Sequence, residues 1–275
     1  MKIRRYLWEY GIDKLSGTAR RNFISRIARD YGISDLFASM SCFMDSRSTI
    51  DEDRLEKMII DMKPLAIHAM IFQDRFYLDD GYQYQERIKQ ELNALNNYNL
   101  THSQNRIQGI HLDVEPHGRK DFKFERIHEL FSRYIKLLAC FRKHINQSEG
   151  FQMPDFQFSA ATGWWYDAFP EVTMQELGRS LDAIVPMAYN SPQEPVGGNL
   201  ERMQRKLPYE KWEKEAPPDT KFIVGMGFSE YHDINSVANP LIEWLKNRCP
   251  RTFAGLAFFS SHDILTEEEM KIING

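Results

Sequence analysis

The residue types best suited to chemistry gather in one stretch, Ile107 to His117, which reads IQGIHLDVEPH. His111, Asp113 and Glu115 recur at every second position, and Ile110, Leu112 and Val114 fill the gaps. Side chains alternate faces along a β-strand, so the three polar groups share one face and the three apolar ones the other. Two carboxylates and an imidazole turned into a fold carry a large desolvation cost unless they are paired or have a task. Asp113 and Glu115 would lie about 6–7 Å apart on a strand that rises ~3.3 Å per residue. Pro116 cannot donate to a strand ladder, which places Glu115 at or near the strand's C-terminal end. That end of a buried parallel strand is where α/β barrels keep their reactive groups.

The elements that must position these groups can be read from the apolar pattern. Strands are predicted over 3–10, 36–40, 65–72, 107–115, 156–163, 182–189, 221–228 and 253–259. The run 65–72 (LAIHAMIF) is continuously apolar, as a strand buried on both faces requires. A helix is predicted over 18–31, with Gly32 as its stop. Thr49 and Glu52 have the spacing of a capping box opening a second helix that Pro64 ends. A third helix is predicted over 79–98, starting at the Asp80-Gly81 turn. After the fourth strand, Phe124, Ile127, Phe131, Tyr134, Leu138 and Phe141 advance in steps of three and four, the signature of an amphipathic helix. Thr173 with Glu176 and Thr266 with Glu269 form two further capping boxes, and helical stretches run over 200–212 and 236–247.

Eight strands alternating with eight helices imply parallel pairing through crossovers. At 275 residues, without a linker or low-complexity break, this predicts a single-domain (β/α)8 TIM barrel spanning residues 1–275. A nucleotide-binding open sheet would carry a Gly-rich turn after its first strand, and none is present. A net charge of −4 gives no footprint for nucleic acid. No apolar stretch is long enough to span a bilayer. The start, MKIRRYLWEYG, has no signal-peptide core, so the chain as given reads as cytoplasmic, or as secreted or periplasmic if a leader was removed. Cys42, Cys140 and Cys249 are scattered and read as structural thiols. No cofactor or metal is implied.

In a barrel, the strand ends would bring Asp113 and Glu115 together with phenol, indole and amide side chains. Aromatic rings stack on sugar faces, and carboxylates protonate a glycosidic oxygen or attack an anomeric carbon. Carbohydrate or a glycoconjugate is therefore the expected partner. Trp8, Gln73, His111, Trp164, Met187, Asn190 and Glu230 are the expected substrate contacts.

The fourth strand, QGIHLDVE, resembles the D-G-x-D-x-D-x-E signature of family-18 glycoside hydrolases, the chitinases and endo-N-acetylglucosaminidases. On the sixth, Met187-Ala188-Tyr189-Asn190 resembles that family's M-x-Y-D motif. The resemblance implies that Glu115 is the general acid/base. It implies that Asp113 orients the substrate's own 2-acetamido group as internal nucleophile, and that Tyr189 hydrogen-bonds that group. A carboxylate pair on one strand also suits substrate assistance better than a protein nucleophile. The chain departs from the pattern at Gln108, His111, Val114 and Asn190, and its eighth strand ends Phe259-Ser260-Ser261-His262 without the family's Trp. His111 next to Asp113 predicts an imidazolium–carboxylate pair where the family has two like charges. Two other readings follow from the same residues: a non-catalytic carbohydrate-binding barrel, or a metal-dependent hydrolase using His111, Asp113 and Glu115.

Overall fold

The computed structural model of the chain describes residues 3–45, 48–71, 82–115, 123–163, 165–189, 204, 207–230 and 233–274. Eight strands, β1 (Arg4–Glu9), β2 (Asp35–Ser39), β3 (Ala66–Ile71), β4 (Gly109–Leu112), β5 (Gln157–Gly163), β6 (Ala183–Met187), β7 (Lys221–Gly227) and β8 (Phe253–Phe259), pair in sequence order. All the pairings are parallel, and β8 closes onto β1 with Arg4 opposite Gly255. The barrel expected from the alternation is therefore present. Among the described residues the helices are α1 (Gly17–Tyr31), α2 (Glu52–Met62), α3 (Tyr82–Thr101), α4 (Ile127–Gln147), α5 (Met174–Ser180), α6 (Tyr209–Glu215), α7 (Ile234–Arg248) and α8 (Glu267–Asn274). None of them is long and apolar enough to cross a membrane.

Strand parity divides the core into two compartments. Leu7, Leu36, Ile67, Ile110, Leu112, Phe158, Ile184 and Leu256 pack outward under the helices. Tyr6, Trp8, Phe37, Met70, Ala161, Val185, Met187, Ile223 and Ala257 fill the barrel itself. The filling is uneven: the large rings come from β1 and β2, whereas β5 and β8 supply Ala161 and Ala257 and β7 supplies Ile223. Trp8 reaches past β8 to β7, where a Cβ on Gly225 would come within 3.5 Å of its ring. Gly255 is required for closure, since a Cβ there would sit 2.2 Å from the Arg4 carbonyl oxygen.

Three of the predicted helix signals are seen as drawn. Gly32 ends α1 in the left-handed region at φ 66°. Thr173 caps α5 by accepting from the Glu176 amide. Thr266 and Glu269 bond reciprocally at the start of α8. The box at Thr49 is not used, because Asp51 caps α2 through the Arg54 amide and the Thr49 amide instead donates to Asp45. The predicted start of α3 at 79–81 lies outside the described residues, as does most of the predicted 200–212 stretch.

Strand β4 is shorter than predicted at both ends. The Asn99 side chain takes both backbone groups of Ile107, donating to its carbonyl and accepting from its amide, so Ile107 never joins the ladder. At the other end pairing stops at Leu112, opposite Ile71 and Ala160. Asp113 and Glu115 therefore stand just beyond the paired strand, on its C-terminal side.

The N-terminal end of the barrel holds a buried polar group. Asp35 Oδ1 receives Arg4 Nη1 at 3.1 Å and His68 Nε2 at 3.0 Å, and Oδ2 receives the Ser34 hydroxyl at 2.6 Å. Nearby, Gln108 Oε1 accepts from the Ile67 amide at 2.8 Å. The residue at the first position of the motif thus ties β4 to β3 and does not face the reactive end.

Candidate active site

The side chains after β4 keep the alternation of the strand. Val114 is buried in the outer core, while Asp113 and Glu115 are half-buried on the inner face. Asp113 Oδ2 accepts a hydrogen bond from Tyr10 Oη at 3.1 Å. Tyr10 follows β1 directly, so this contact joins strand ends from different parts of the barrel. Burial raises the Tyr10 pKa well above the usual phenol value, and the charge and hydrogen bond of Asp113, then Tyr189 and Glu115, push it further. Burial likewise raises Tyr134, on α4, with added effect from Asp113 and Glu115. Both carboxylates thus bear electrostatically on Tyr10 and Tyr134, Asp113 more strongly than Glu115.

Aromatic rings form the rest of the rim. Tyr189, two residues past β6, stacks on Phe259 with centroids 5.2 Å apart and planes 17° apart. Phe259 ends β8, is 36% exposed, and meets Tyr10 edge-on at 6.1 Å and Trp8 edge-on at 6.2 Å. Met187 lies beside this group at the end of β6, largely buried.

Trp8 and His111 lie deeper than substrate contacts would. Trp8 is 1% exposed and packs inside the barrel. His111 is fully buried, with its ring stacked on Phe37 at 3.8 Å and Nδ1 2.9 Å from the Ser159 hydroxyl. Burial and the neighbouring His68 hold its pKa well below the usual imidazole value, so it is neutral. The expected imidazolium–carboxylate pair with Asp113 is therefore corrected. A ring sealed among aromatic side chains loses too much hydration to carry charge, and Asp113 is met by a phenol. The same placement counts against His111 as a metal ligand alongside the two carboxylates. Among the described residues no group of three His, Cys, Asp or Glu is arranged to hold a metal ion.

Of the remaining expected contacts, Glu230 belongs to the 3-10 turn Phe228–Glu230 after β7, its side chain outside the described part of the structure. Gln73, Trp164 and Asn190 lie outside the described residues. Trp165, next to Trp164, packs against Tyr166 and Phe169 beneath the β5 loop. Sequence reasoning placed Tyr10 at a strand end at the mouth without counting it a site residue, and it passed over Phe259. The signal for Tyr10 was its parity, two positions after the inward-facing Trp8. For Phe259 it was a large ring at the last position of β8.

A closed parallel barrel with carboxylates and rings at its C-terminal mouth defines a (β/α)8 protein with a candidate catalytic face. No family model matches the sequence, and no curated protein matches it. The fold is shared with solved structures at low identity. One is a β-glucuronidase of Bacteroides uniformis, with TM-score 0.59 and 13% identity over 94% of this chain; the match spans only 30% of that protein. A chitinase from Chromobacterium violaceum superposes with TM-score 0.52 and 10% identity, covering 99% of this chain and 98% of that one. A glycoside hydrolase family 18 N-acetylglucosaminidase from Paenibacillus barengoltzii gives TM-score 0.54 and 9% identity, with 99% of each chain covered. At such identities the likeness establishes the fold.

Proposed function

We propose that this chain is a glycoside hydrolase that cleaves a glycan containing N-acetylhexosamine, with retention and with assistance from the substrate's own acetamido group. The observation that carries this reading is the chain of contacts from Asp113 through Tyr10 to Phe259 and its stacked partner Tyr189, with Glu115 two residues beyond Asp113. Several solved barrels of this shape are described as glycosidases, two of them as a chitinase and an N-acetylglucosaminidase. That agrees with the motif resemblance on β4 and β6.

In this mechanism Glu115 protonates the glycosidic oxygen as its bond to the anomeric carbon breaks. The acetamido carbonyl oxygen closes onto that carbon from the opposite face. Asp113 accepts the acetamido N–H and balances the positive charge that develops on the ring so formed. Tyr189 donates to the acetamido oxygen and holds it in line. Glu115, now a carboxylate, takes a proton from the water that opens the intermediate. Phe259 offers an exposed ring face for a sugar to stack on. No step calls on a cofactor.

The test compares an aryl β-N-acetylglucosaminide with the matching aryl β-glucoside. Turnover of the first alone is the expected result. Equal turnover of both would rule out acetamido assistance, and saturable oligosaccharide binding without product would leave a binding barrel. Phe259→Ala is expected to raise KM about tenfold, or ~1.4 kcal/mol, with kcat changed less. Initial rates over a range of substrate concentrations measure both.

A further inference from the structure

Asp113 must present a charged carboxylate in a fixed direction, close to a second carboxylate two residues on. The inward-facing residue before it cannot hold it, since His111 is neutral, sealed in the barrel and directed at Ser159. Tyr134 does not serve either, because its hydroxyl donates to the Ala161 carbonyl at 3.2 Å. The Tyr10 hydroxyl does reach Asp113 Oδ2, at 3.1 Å.

We propose that Tyr10 is a positioning residue of this site, fixing the Asp113 carboxylate at the barrel mouth and keeping it ionised in place of a charged partner on β4. Its bearing on turnover rests on the glycosidase reading given above; the hold on Asp113 does not. Tyr10 is itself well anchored. Its amide lies 3.4 Å from the Ser261 hydroxyl, and its ring meets Phe259 edge-on. It can act only as a donor to an anion, because burial and the surrounding negative groups keep the phenol protonated. A hydrogen bond to the charged form of a carboxylate lowers its pKa, whereas a nearby like charge raises it. Tyr10 thus opposes Glu115. Among the described groups, Asp113 acts on Tyr10, which follows β1, and on Tyr134 of α4; Glu115 acts on both, Tyr189 after β6 acts on Tyr10, and His111 lies two residues before Asp113.

Tyr10→Phe keeps the ring and its contact with Phe259 and removes only the donor. Carboxyl-carbon NMR of aspartate-labelled protein, with Asp113→Asn used to assign the signal, reads the titration of Asp113 directly. In Tyr10→Phe the Asp113 pKa is expected to rise by about 0.5–1 unit. On the aryl N-acetylglucosaminide, kcat is expected to fall about tenfold with KM within twofold, and the acid limb of the kcat/KM profile to move up in step. Tyr10→Phe added to Asp113→Asn is expected to change nothing further. An unchanged Asp113 titration overturns the proposal, as does a shifted titration with unchanged kcat and pH profile. Wild-type protein without turnover overturns the glycosidase reading instead, and the titration then still decides whether Tyr10 holds Asp113.

Discussion

Glu115→Gln is expected to lower kcat by about 10²–10⁴-fold, the range for loss of a general acid. The amide keeps the size of the carboxyl and its place after β4, yet it has no proton to give the leaving oxygen. The deficit is expected to depend on the leaving group. A dinitrophenyl glycoside departs without protonation and loses little in its first step, while an alkyl glycoside or a natural glycan loses the full factor. Glu115 is only half-buried, so the urea midpoint is expected to stay close to that of the unaltered protein. Steady-state rates on the two substrate types, together with one urea curve, separate loss of acid catalysis from loss of fold. Equal rates for Glu115→Gln and the unaltered protein on the alkyl glycoside would remove Glu115 from this role.

The second large effect lies at the opposite end of the barrel and concerns stability. Asp35→Ala is expected to destabilise the fold by about 3–5 kcal/mol, the cost of removing one partner from a buried charged group. Asp35 accepts from His68, Arg4 and Ser34. Among the described residues His68 Nδ1 has no hydrogen-bond partner, so losing Asp35 leaves both nitrogens of this buried ring unsatisfied there. Arg4 is more than a third exposed and adds little in solvent. Burial works against ionisation of Asp35, but the bonds from His68 and Ser34 and the charge of Arg4 outweigh it and hold its pKa below the usual carboxylate value. A pKa lowered on folding stabilises above the unfolded-state value, about 3.9, and that contribution is lost as pH falls through the folded-state value. Urea unfolding followed from pH 7 to below pH 4 is expected to show the unaltered protein losing stability at the acid end. Asp35→Ala starts lower and loses less over that span. Parallel curves would mean that Asp35 is not the titrating group.

The barrel was legible because each strand is an apolar run of the right length, bounded by helix signals such as Thr173, Thr266 and Gly32. The division of β4 into an inner and an outer face was legible for the same reason: parity is local. What was not legible depends on residues distant in sequence. The Asn99 side chain decides where β4 begins, and nothing near Ile107 announces it. Asp51 outcompetes Thr49 as a cap because the chain enters α2 two residues later than the Thr49–Glu52 spacing suggests. The charge state of His111 is set by its burial among rings from other strands, Phe37 of β2 among them, and by His68 of β3. The bond from Tyr10 to Asp113 exists only because the barrel closes and brings the ends of β1 and β4 to one rim. Local pattern thus located the carboxylates, while their partners came from closure.

The uneven filling of the barrel gives its inward positions different capacities for change. At the ring-bearing positions of β1 and β2 a substitution removes or adds a whole aromatic plane, and several neighbours must repack at once. Ala161, across the barrel on β5, and Ala257, beside Tyr6 on β8, also face inward, and there a one- or two-carbon enlargement raises the floor beneath the mouth by a small increment. The depth available to a ligand can therefore drift in fine steps at these two positions while the aromatic rings stay as a fixed template.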